Sequence, residues 1–461
     1  MLRRLLIPLL AVASLAALGA TSAAAGGGSP SGALFLIRGH GWGHGVGMSQ
    51  WGAQGYAEHA YTYEQILAAY FPGTTLETAP TTKIRVLLAS GKKSLTLSSD
   101  QPITVTDGNG AAHTLAAGST KLTPALELAV DGGAAQPLTP PLTFAPAGGS
   151  SLTLGRAYRG TITVDVVQNR LEAIDTLPLE EYVASVVASE MPSTWQPAAL
   201  EAQAVASRSY ALATRRVGAD FDVYADTRSQ AYGGLDAERP AATAAVEATA
   251  GQVLYYGGTL ATTFFSASSG GRTQTPSDAW GGEDVPYLPS LPDPYDSISP
   301  YHNWGPVPVT AQTLGGALGI RGRIVDATTT VNSSLRVAQL QVRTLAAGVV
   351  RTTPVTGATA AAKLGLRSTW FRVSVLSLQP PSPNSAVAPG TTVSLTGVLR
   401  GAAGAVVQER TSGRQWSPLL KPKPDRRHAI AVAVRPTVTT WYRLAVPAGT
   451  TPPIRIRVTA G

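Results

Sequence analysis

Short runs in which apolar and polar residues alternate fill the chain from residue 83 to about residue 174, and turn residues separate them. Alternation with a period of two is typical of strands that bury one face, and the sequence DGNG at 107–110 is typical of a hairpin turn. The 48 glycines and 34 prolines among 461 residues add many loops, and this length favours two or three domains. The sequence therefore predicts a β-rich fold.

Two helical segments interrupt the β pattern. Apolar residues recur at helical spacing over residues 179–191, after Pro178, and over the alanine-rich residues 198–216, after Pro197. Proline is tolerated there because the first helical turn does not need its missing N–H group. A third helical pattern covers residues 63–70. A β-rich domain with an inserted helical pair is predicted, and its fold class is α+β.

Residues 39–47 include five glycines at alternating positions, which prevents a stable helix there. Glycine at such a density lets the backbone approach a ligand or another chain segment closely. The residues just before it, 33–38, alternate loosely and predict a strand.

The first 25 residues have the pattern of a secretory signal peptide. Arg3 and Arg4 precede an apolar stretch over residues 5–18, and three alanines at 23–25 offer a cleavage site. A retained membrane anchor is the alternative, but Pro8 interrupts the stretch, and about 20 apolar residues are needed to span a bilayer. We predict cleavage near residue 25, a flexible spacer over 26–31, no membrane span after cleavage, and a secreted protein.

The C-terminal part has a different pattern. Residues 377–390 contain the proline-rich sequence QPPSP and predict a stiff linker. Evenly spaced alternating runs over residues 391–461 then predict a small β-sandwich.

Charge and cysteine content exclude several classes of function. The formal net charge is +8, or +6 without Arg3 and Arg4, and such a mild excess spread over a long chain suits a negatively charged polymer as partner. A dense basic run with interleaved aromatic residues is missing from the sequence, so no nucleic-acid partner is predicted. With no cysteine, disulfides, thiolate metal sites and cysteine nucleophiles are excluded.

Glu190 lies on the apolar side of the first predicted helix. It is three residues beyond Val187 and four beyond Val186, so it continues their stripe, and it lies at the helix end where the dipole disfavours an anion. Both burial and the dipole raise the pKa of a carboxyl, which suits a general acid. The alternative from spacing alone is a structural glutamate paired with Arg208 or Arg215, or an exposed one.

His40 and His44 are four residues apart, which on a helix would suit zinc. The glycines make this segment a loop, so two histidines in a hydrogen-bond network are the simpler interpretation. Ser49 and Ser268 are potential nucleophiles, but neither lies in a Gly-x-Ser-x-Gly sequence, which argues against a serine hydrolase.

Several long motifs closely resemble those of the SpoIID/LytB family, sporulation stage II protein D and its relatives. The resemblance covers about residues 33–376. The motifs are LPLEEYVASVVASEMP at 177–192, ALEAQAVASRSYAL at 199–212, QAYGG at 230–234 and FFSASSGGRT at 264–273.

This resemblance implies a bacterial protein that is located at the cell wall and acts on peptidoglycan. Sporulation members of the family are lytic transglycosylases that cut MurNAc–GlcNAc strands and leave 1,6-anhydro-MurNAc ends. The catalytic glutamate of their Glu-Met-Pro motif corresponds to Glu190. LytB-type members were named as enhancers of a cell-wall amidase, an N-acetylmuramoyl-L-alanine amidase, so a non-catalytic wall-binding role with an amidase as partner is the alternative. Motif position implies further glycan-binding residues: Gln203, Arg208, Tyr210, Gln230, Tyr232, Ser266, Ser268, His40, His44, Ser49 and Gln50.

The sequence departs from the family pattern in two ways. Some relatives bind zinc through cysteine and histidine in the segment that matches 264–273, which in this chain contains neither, so no metal and no other cofactor is predicted. The glycine-rich motif that normally closes the family's domain, residues 43–50 of this chain, opens it instead, which indicates a circular permutation. A permuted chain would place residues 33–38 beside residues 370–375 and bring the glycine-rich segment close to Glu190.

Overall fold

The computed structural model describes residues 32–346, 349–381 and 386–459. The predicted signal peptide, the spacer over 26–31 and residues 382–385 of the predicted linker lie outside the described residues. Within the described ranges, no helix is long and apolar enough to cross a membrane.

The described residues combine strands and helices, with strands in the majority, so the β-rich α+β class is confirmed. The helices are α1 Gln50–Glu58, α2 Tyr63–Tyr70, α3 Leu179–Glu190, α4 Pro197–Thr214, α5 Pro240–Ala248, α6 Pro276–Trp280, α7 Ala311–Leu318 and α8 Gly357–Leu364. Short 3-10 helices cover Leu235–Ala237 and Asp296–Ile298.

Strands recur along most of the described chain, and most of their pairings are antiparallel. In chain order they are β1 Leu34–His40, β2 Met48–Ser49, β3 Thr75–Thr78, β4 Lys83–Lys92, β5 Leu95–Ser99, β6 Ile103–Thr106, β7 Ala112–Leu115, β8 Gly118–Leu122, β9 Glu127–Ala129, β10 Ala135–Pro137, β11 Leu142–Pro146, β12 Leu152–Leu154, β13 Arg156–Tyr158, β14 Thr161–Val167, β15 Arg170–Pro178, β16 Val223–Tyr224, β17 Gln252–Tyr256, β18 Thr259–Leu260, β19 Phe265–Ser266, β20 Asn303–Thr310, β21 Arg323–Val331, β22 Val337–Ala346, β23 Val349–Thr356, β24 Phe371–Gln379, β25 Ala386–Val387, β26 Val393–Arg400, β27 Val406–Thr411, β28 Ser417–Leu420, β29 Ala429–Val434, β30 Thr440–Val446, β31 Gly449–Thr450 and β32 Ile454–Val458.

The chain divides into two compact units. The first comprises Val46–Ser266 and Asp284–Leu291, and the second comprises the described residues of 32–45, 267–283 and 292–459. The largest sheet of the first unit has seven strands in the order β16-β4-β15-β14-β11-β6-β7. Its strands β4 to β15 fall within the region for which alternation predicts strands, and that prediction is confirmed.

Two helices follow the last strand of this region. Strand β15 ends at Pro178 and α3 begins at the next residue, so the sheet fixes the start of α3. Helices α3 and α4 occupy the two segments with helical spacing. Helix α4 is buried along most of its length and packs against α1, α2, α3 and α5, which makes it the centre of the helical layer of this unit.

The glycine-rich segment leads into a helix that the sequence did not predict. Helix α1 begins at Gln50, and Ser49 caps it because its Oγ accepts the N–H of Gly52 at 3.1 Å. Before this cap the backbone takes positive φ angles that favour glycine, at Gly41, Gly43, Gly45 and Gly47.

In the second unit, five strands form a sheet in the order β20-β1-β24-β26-β29. Strand β1 pairs antiparallel with β24, with Leu34 opposite Leu376 and Arg38 opposite Arg372. The predicted neighbourhood of residues 33–38 and 370–375 is therefore confirmed. Two further sheets have the orders β21-β22-β23 and β25-β32-β30-β27-β28, and β31 pairs with β30.

The five-stranded sheet continues across the predicted linker. Strand β24 extends through residues 377–379 of that linker, and its Leu378 lies opposite Gly397 of β26. One hydrophobic cluster joins Leu36 and Leu376 to Leu395 and Tyr442. The C-terminal strands thus share a core with β1 and β24.

Gly397 offers a direct test of this shared sheet. A Cβ atom at position 397 would overlap the backbone carbonyl oxygen of Ser377 on the neighbouring strand. We expect Gly397→Ala to lower the free energy of unfolding by about 1–3 kcal/mol, because the strands must move apart. Thermal or denaturant unfolding measures this loss.

The matched control is Gly316→Ala, the same change in helix α7. At this position a new Cβ meets nothing within 4 Å, and alanine in a helix is more stable than glycine by roughly 0.5–1 kcal/mol. A Gly397→Ala protein as stable as the unchanged one would contradict the pairing of β24 with β26.

Candidate active site

Glu190 is the last residue of α3 and continues the buried stripe of that helix. Val183, Val186 and Val187 are fully buried, whereas Glu190 remains partly exposed. Burial raises the pKa of the Glu190 carboxyl above its usual value of 4.5. The predicted rise in pKa is confirmed, with burial as its main cause.

Two groups approach the Glu190 carboxyl. The backbone N–H of Ala231 donates to Oε1 at 3.2 Å, and the side chain of Gln50 also lowers the pKa without cancelling the effect of burial. The Nε2 atom of Gln50 is buried and forms no hydrogen bond of normal geometry. Among the described residues, no cation forms a salt bridge with Glu190. The carboxyl is therefore desolvated with little compensation.

Helix α3 itself fixes the segment that carries Ala231. The hydroxyl of Tyr182 donates to Oε1 of Gln230 at 3.1 Å, and Oγ of Ser185 accepts the N–H of Gly233 at 3.1 Å. Gln230 and Gly233 lie on the two sides of Ala231 in the chain. Their partners on α3 lie one to two helical turns before Glu190. The donor and the acceptor of the Ala231–Glu190 bond are thus held by one element.

A buried carboxyl anchors the next residue of this segment. Tyr232 donates its hydroxyl to Oδ2 of Asp175 on β15 at 2.7 Å, and Asp175 is fully buried. Its other oxygen, Oδ1, has no hydrogen-bond partner. Burial raises the pKa of Asp175 to about 7. The protonated form of Asp175 is therefore much more stable than in an exposed aspartate.

Two tyrosines are influenced by the charge of Glu190. Burial and then the Glu190 carboxylate raise the pKa of Tyr182, and the same two causes raise the pKa of Tyr210 to about 12. Both phenols therefore stay neutral and keep their O–H group at neutral pH. Tyr182 was not singled out from the sequence, although its spacing of eight residues from Glu190 puts both on one side of a helix.

Two indole rings lie next to these residues in the chain. Trp51 follows Gln50, and Trp195 lies five residues beyond Glu190. Their ring centroids are 4.7 Å apart at an angle of 59°, and both side chains are partly exposed. Such a pair offers an aromatic surface on which a sugar ring can stack.

Arg208 has a partner other than Glu190. Its guanidinium is fully buried and bonds to Glu180, at 2.5 Å between Nη2 and Oε2, and to the carbonyl oxygen of Gln252 at 2.9 Å. The alternative in which Arg208 neutralises Glu190 is therefore wrong. Every described contact of Arg208 is internal to the fold.

The other predicted residues of the first unit are buried. Gln203 donates from Nε2 to Ser207 on the same helix, and its Oε1 has no partner. Ser266 on β19 lies opposite Ser49 on β2 in a short parallel pair. The structure thus brings Glu190, Gln50, Gln230 and Tyr210 into one neighbourhood and gives Ser49 a capping role.

Three predicted residues belong to the second unit, namely His40, His44 and Ser268. Ser268 donates its hydroxyl to the fully buried Asp296, at 2.9 Å from Oδ1, and Oδ2 of Asp296 lies 2.9 Å from Nδ1 of His302. Burial, followed by the charge of His302, lowers the pKa of His40. No sequence pattern selects Asp296, because only the fold brings it to Ser268.

Parts of the chain are similar to known proteins. Stage II sporulation protein D of Bacillus subtilis (strain 168) is 32% identical over 156 residues, which cover 30% of this chain and 45% of that protein. The protein of the same name from Bacillus amyloliquefaciens is 31% identical over 231 residues, 46% of this chain and 64% of that protein. The SpoIID family model, described as Stage II sporulation protein, matches residues 167–256. Residues 167–256 are therefore similar to the SpoIID family.

The SpoIID segment contains α3, α4 and the 230–234 segment, so Glu190 and Ala231 lie inside it, whereas Gln50 lies outside it. The amidase enhancer of Bacillus subtilis (strain 168) is also similar, with 39% identity over 111 residues, 24% of this chain and 15% of that protein. The matches to these three relatives thus span less than two thirds of each relative's own length.

Asp175 makes the stability of the SpoIID segment depend on pH. Because its folded pKa is about 7, against 3.8 ordinarily, the folded protein binds this proton more tightly than the unfolded chain. The stabilisation of the folded state by this bound proton is therefore complete below about pH 4 and is lost as the pH rises to about 7. We expect Asp175→Asn to remove this pH dependence and to stabilise the protein by about 1–3 kcal/mol above pH 7, because the gain is reduced by an amide N–H group that is buried without a partner.

Denaturant unfolding across this pH range measures the effect. The matched control is Asp100→Asn, since Asp100 is exposed and water solvates it in both states. An Asp175→Asn protein whose stability varies with pH as in the unchanged protein would contradict the buried, proton-binding state of Asp175.

Proposed function

We propose that this protein is a secreted peptidoglycan lytic transglycosylase, with Glu190 as its general acid and base. The observation that carries the proposal is the Glu190 carboxyl itself, which is desolvated, only partly covered and without a cationic partner among the described residues. Burial raises the pKa of this carboxyl, so it keeps its proton to a higher pH than an exposed glutamate does, which favours a general acid. The similarity of residues 167–256 to the SpoIID family supports a role at the cell wall.

In the first step, Glu190 donates its proton to the glycosidic oxygen between MurNAc and GlcNAc. The bond from C1 of MurNAc to this oxygen breaks, GlcNAc leaves with a free hydroxyl, and positive charge develops on the MurNAc ring. The Glu190 carboxylate formed in this step faces the developing charge, and its N–H contact from Ala231 at 3.2 Å stabilises it.

In the second step, the C6 hydroxyl of the same MurNAc attacks C1. Glu190 accepts the hydroxyl proton as the new bond from O6 to C1 closes the 1,6-anhydro ring, and the carboxylic acid is restored. Water takes no part, so one carboxyl serves both steps. Ordinary glycosidases need a second carboxylate because it activates water or attacks the sugar.

The neighbours of Glu190 suit a glycan ligand. The side chain of Gln50 lies beside the carboxyl and lowers its pKa, and the phenols of Tyr182 and Tyr210 stay neutral. Trp51 and Trp195 supply an aromatic surface for a sugar ring. Polar donors beside an aromatic surface are the usual combination in carbohydrate sites.

Glu190→Gln tests the assignment. Glutamine keeps the volume but cannot transfer a proton, so we expect the release of anhydro-MurNAc ends from purified peptidoglycan to fall by at least about 100-fold. Glycan binding and melting temperature should persist, because Arg208 keeps its partner Glu180. Chromatographic analysis of the digests of intact and peptide-stripped peptidoglycan measures the products.

Glu247→Gln in α5 is the matched control, since this side chain is exposed and the chemical change is the same. Products with ordinary reducing ends would contradict the transglycosylase mechanism. A Glu190→Gln protein with full activity would remove Glu190 from the reaction.

The second candidate function is a wall-binding protein that enhances an amidase. The similarity to the amidase enhancer, at 39% identity, favours it. This function requires no proton transfer, so Glu190→Gln would leave it unchanged. Stimulation of a purified N-acetylmuramoyl-L-alanine amidase by both the unchanged protein and Glu190→Gln, without anhydro ends, would establish this candidate instead.

A further inference from the structure

The net positive charge of the chain is concentrated in one segment. Residues 386–459 contain eleven lysine and arginine residues but only two acidic ones, Glu409 and Asp425. Their net charge of +9 exceeds the +8 of the whole chain, so the remaining residues are close to neutral, with 25 basic and 26 acidic side chains. The excess is therefore a property of the C-terminal strands and not of the surface in general.

Three neighbouring strands arrange part of this charge in a row. In the sheet β32-β30-β27, Arg410 lies opposite Trp441, and Trp441 lies opposite Arg455. The guanidinium carbons of Arg410 and Arg455 lie 5.8 and 5.3 Å from the centroid of the Trp441 ring. The indole is thus flanked by a cation on each neighbouring strand.

Trp416 extends this row. The guanidinium of Arg410 lies 5.0 Å from its ring centroid, and that of Arg443 lies 4.1 Å from it. Cations and aromatic rings therefore alternate in the order Arg443, Trp416, Arg410, Trp441 and Arg455, which we call the cation–aromatic row.

The row lies on the outer face of the sheet. Tyr442, Ile454 and Ile456 on the same strands are buried, so the residues that alternate with them point away from the core. Arg410 and Arg455 are exposed. Among the described residues, no acidic side chain forms a salt bridge with an arginine of the row.

This charge has no acidic counterpart among the described residues. The guanidinium groups of Arg410 and Arg443 both lie beside the Trp416 ring, and burial and the like charge of Arg410 lower the pKa of Arg443. An anion that contacts several of them relieves this repulsion, and the planar arginine fork binds phosphate oxygens in pairs.

We propose that the cation–aromatic row is a binding surface for an anionic wall polymer whose phosphodiester groups alternate with polyol or sugar units. Alternating cations and rings match a chain in which anionic groups alternate with C–H-rich surface. Strands are about 4.8 Å apart, so Arg410 and Arg455, two strands apart, contact phosphates separated by roughly 10 Å. The surface holds the enzyme on the wall and is independent of the Glu190 chemistry.

Binding of poly(glycerol phosphate) to the mature full-length protein tests the proposal. We expect Arg410→Gln with Arg455→Gln to weaken binding at low salt by roughly 3- to 30-fold. The slope of log affinity against log salt should decrease in magnitude by roughly 1 to 2, because two phosphate contacts are lost. Arg410→Lys with Arg455→Lys keeps the charge but loses the fork, so it should weaken binding less, and it provides a folded protein if the glutamine variant is unstable.

The matched control is Arg321→Gln with Arg351→Gln, which removes the same charge from exposed positions outside the row. Equal weakening by this control would overturn the proposal, as would unchanged binding by both variants at positions 410 and 455. Polyglutamate or single-stranded DNA that binds as tightly as the phosphate polymer would overturn the assigned ligand class. The readout is binding alone, so it does not depend on whether the protein cleaves glycan.

Discussion

The arrangement around Glu190 depends on burying a carboxyl without supplying a cation. An ionised carboxylate in such a place is costly unless charge or hydrogen bonds compensate it, so the neutral acid is favoured. Arg208, the cation considered as a partner of Glu190, is instead fully buried against Glu180 at the other end of α3. The N–H of Ala231 and the side chain of Gln50 compensate the carboxylate in part. In the proposed reaction they would stabilise the ion without neutralising it beforehand.

The hydrogen bond from Ala231 to Glu190 requires that α3 and residues 230–234 keep fixed positions relative to each other. Tyr182 and Ser185 bond to that segment from α3, and Asp175 bonds to it from β15, the strand that leads into the helix. Burial of Asp175 is itself unfavourable at neutral pH, because its Oδ1 has no partner. A structural carboxyl thus lowers the stability of the fold at neutral pH while it holds the segment that positions Glu190.

Sequence periodicity placed Glu190 on the apolar side of its helix, because a helix packed on one side buries residues at a regular spacing, but the role of Glu190 came from the family resemblance. Periodicity could not identify Ala231, which contributes a backbone N–H group, or Asp175, whose partner is 57 residues away in the chain. The proline-rich residues 377–390 predicted a linker, yet long-range pairing of Leu378 with Gly397 extends β24 into it. Helix α1 was missed because its Ser49 cap follows a run of glycines that rules out a helix before it.

The protonation of Glu190 in the folded protein is the central claim, and a carboxyl titration tests it most directly. Carbon NMR of protein labelled at the glutamate carboxyls, with the Glu190 signal assigned by its loss in Glu190→Gln, gives the pKa of this one group. We expect a midpoint clearly above the usual 4.5. A midpoint at or below 4.5 would mean that Glu190 is compensated in the folded state, and would contradict its role as a general acid.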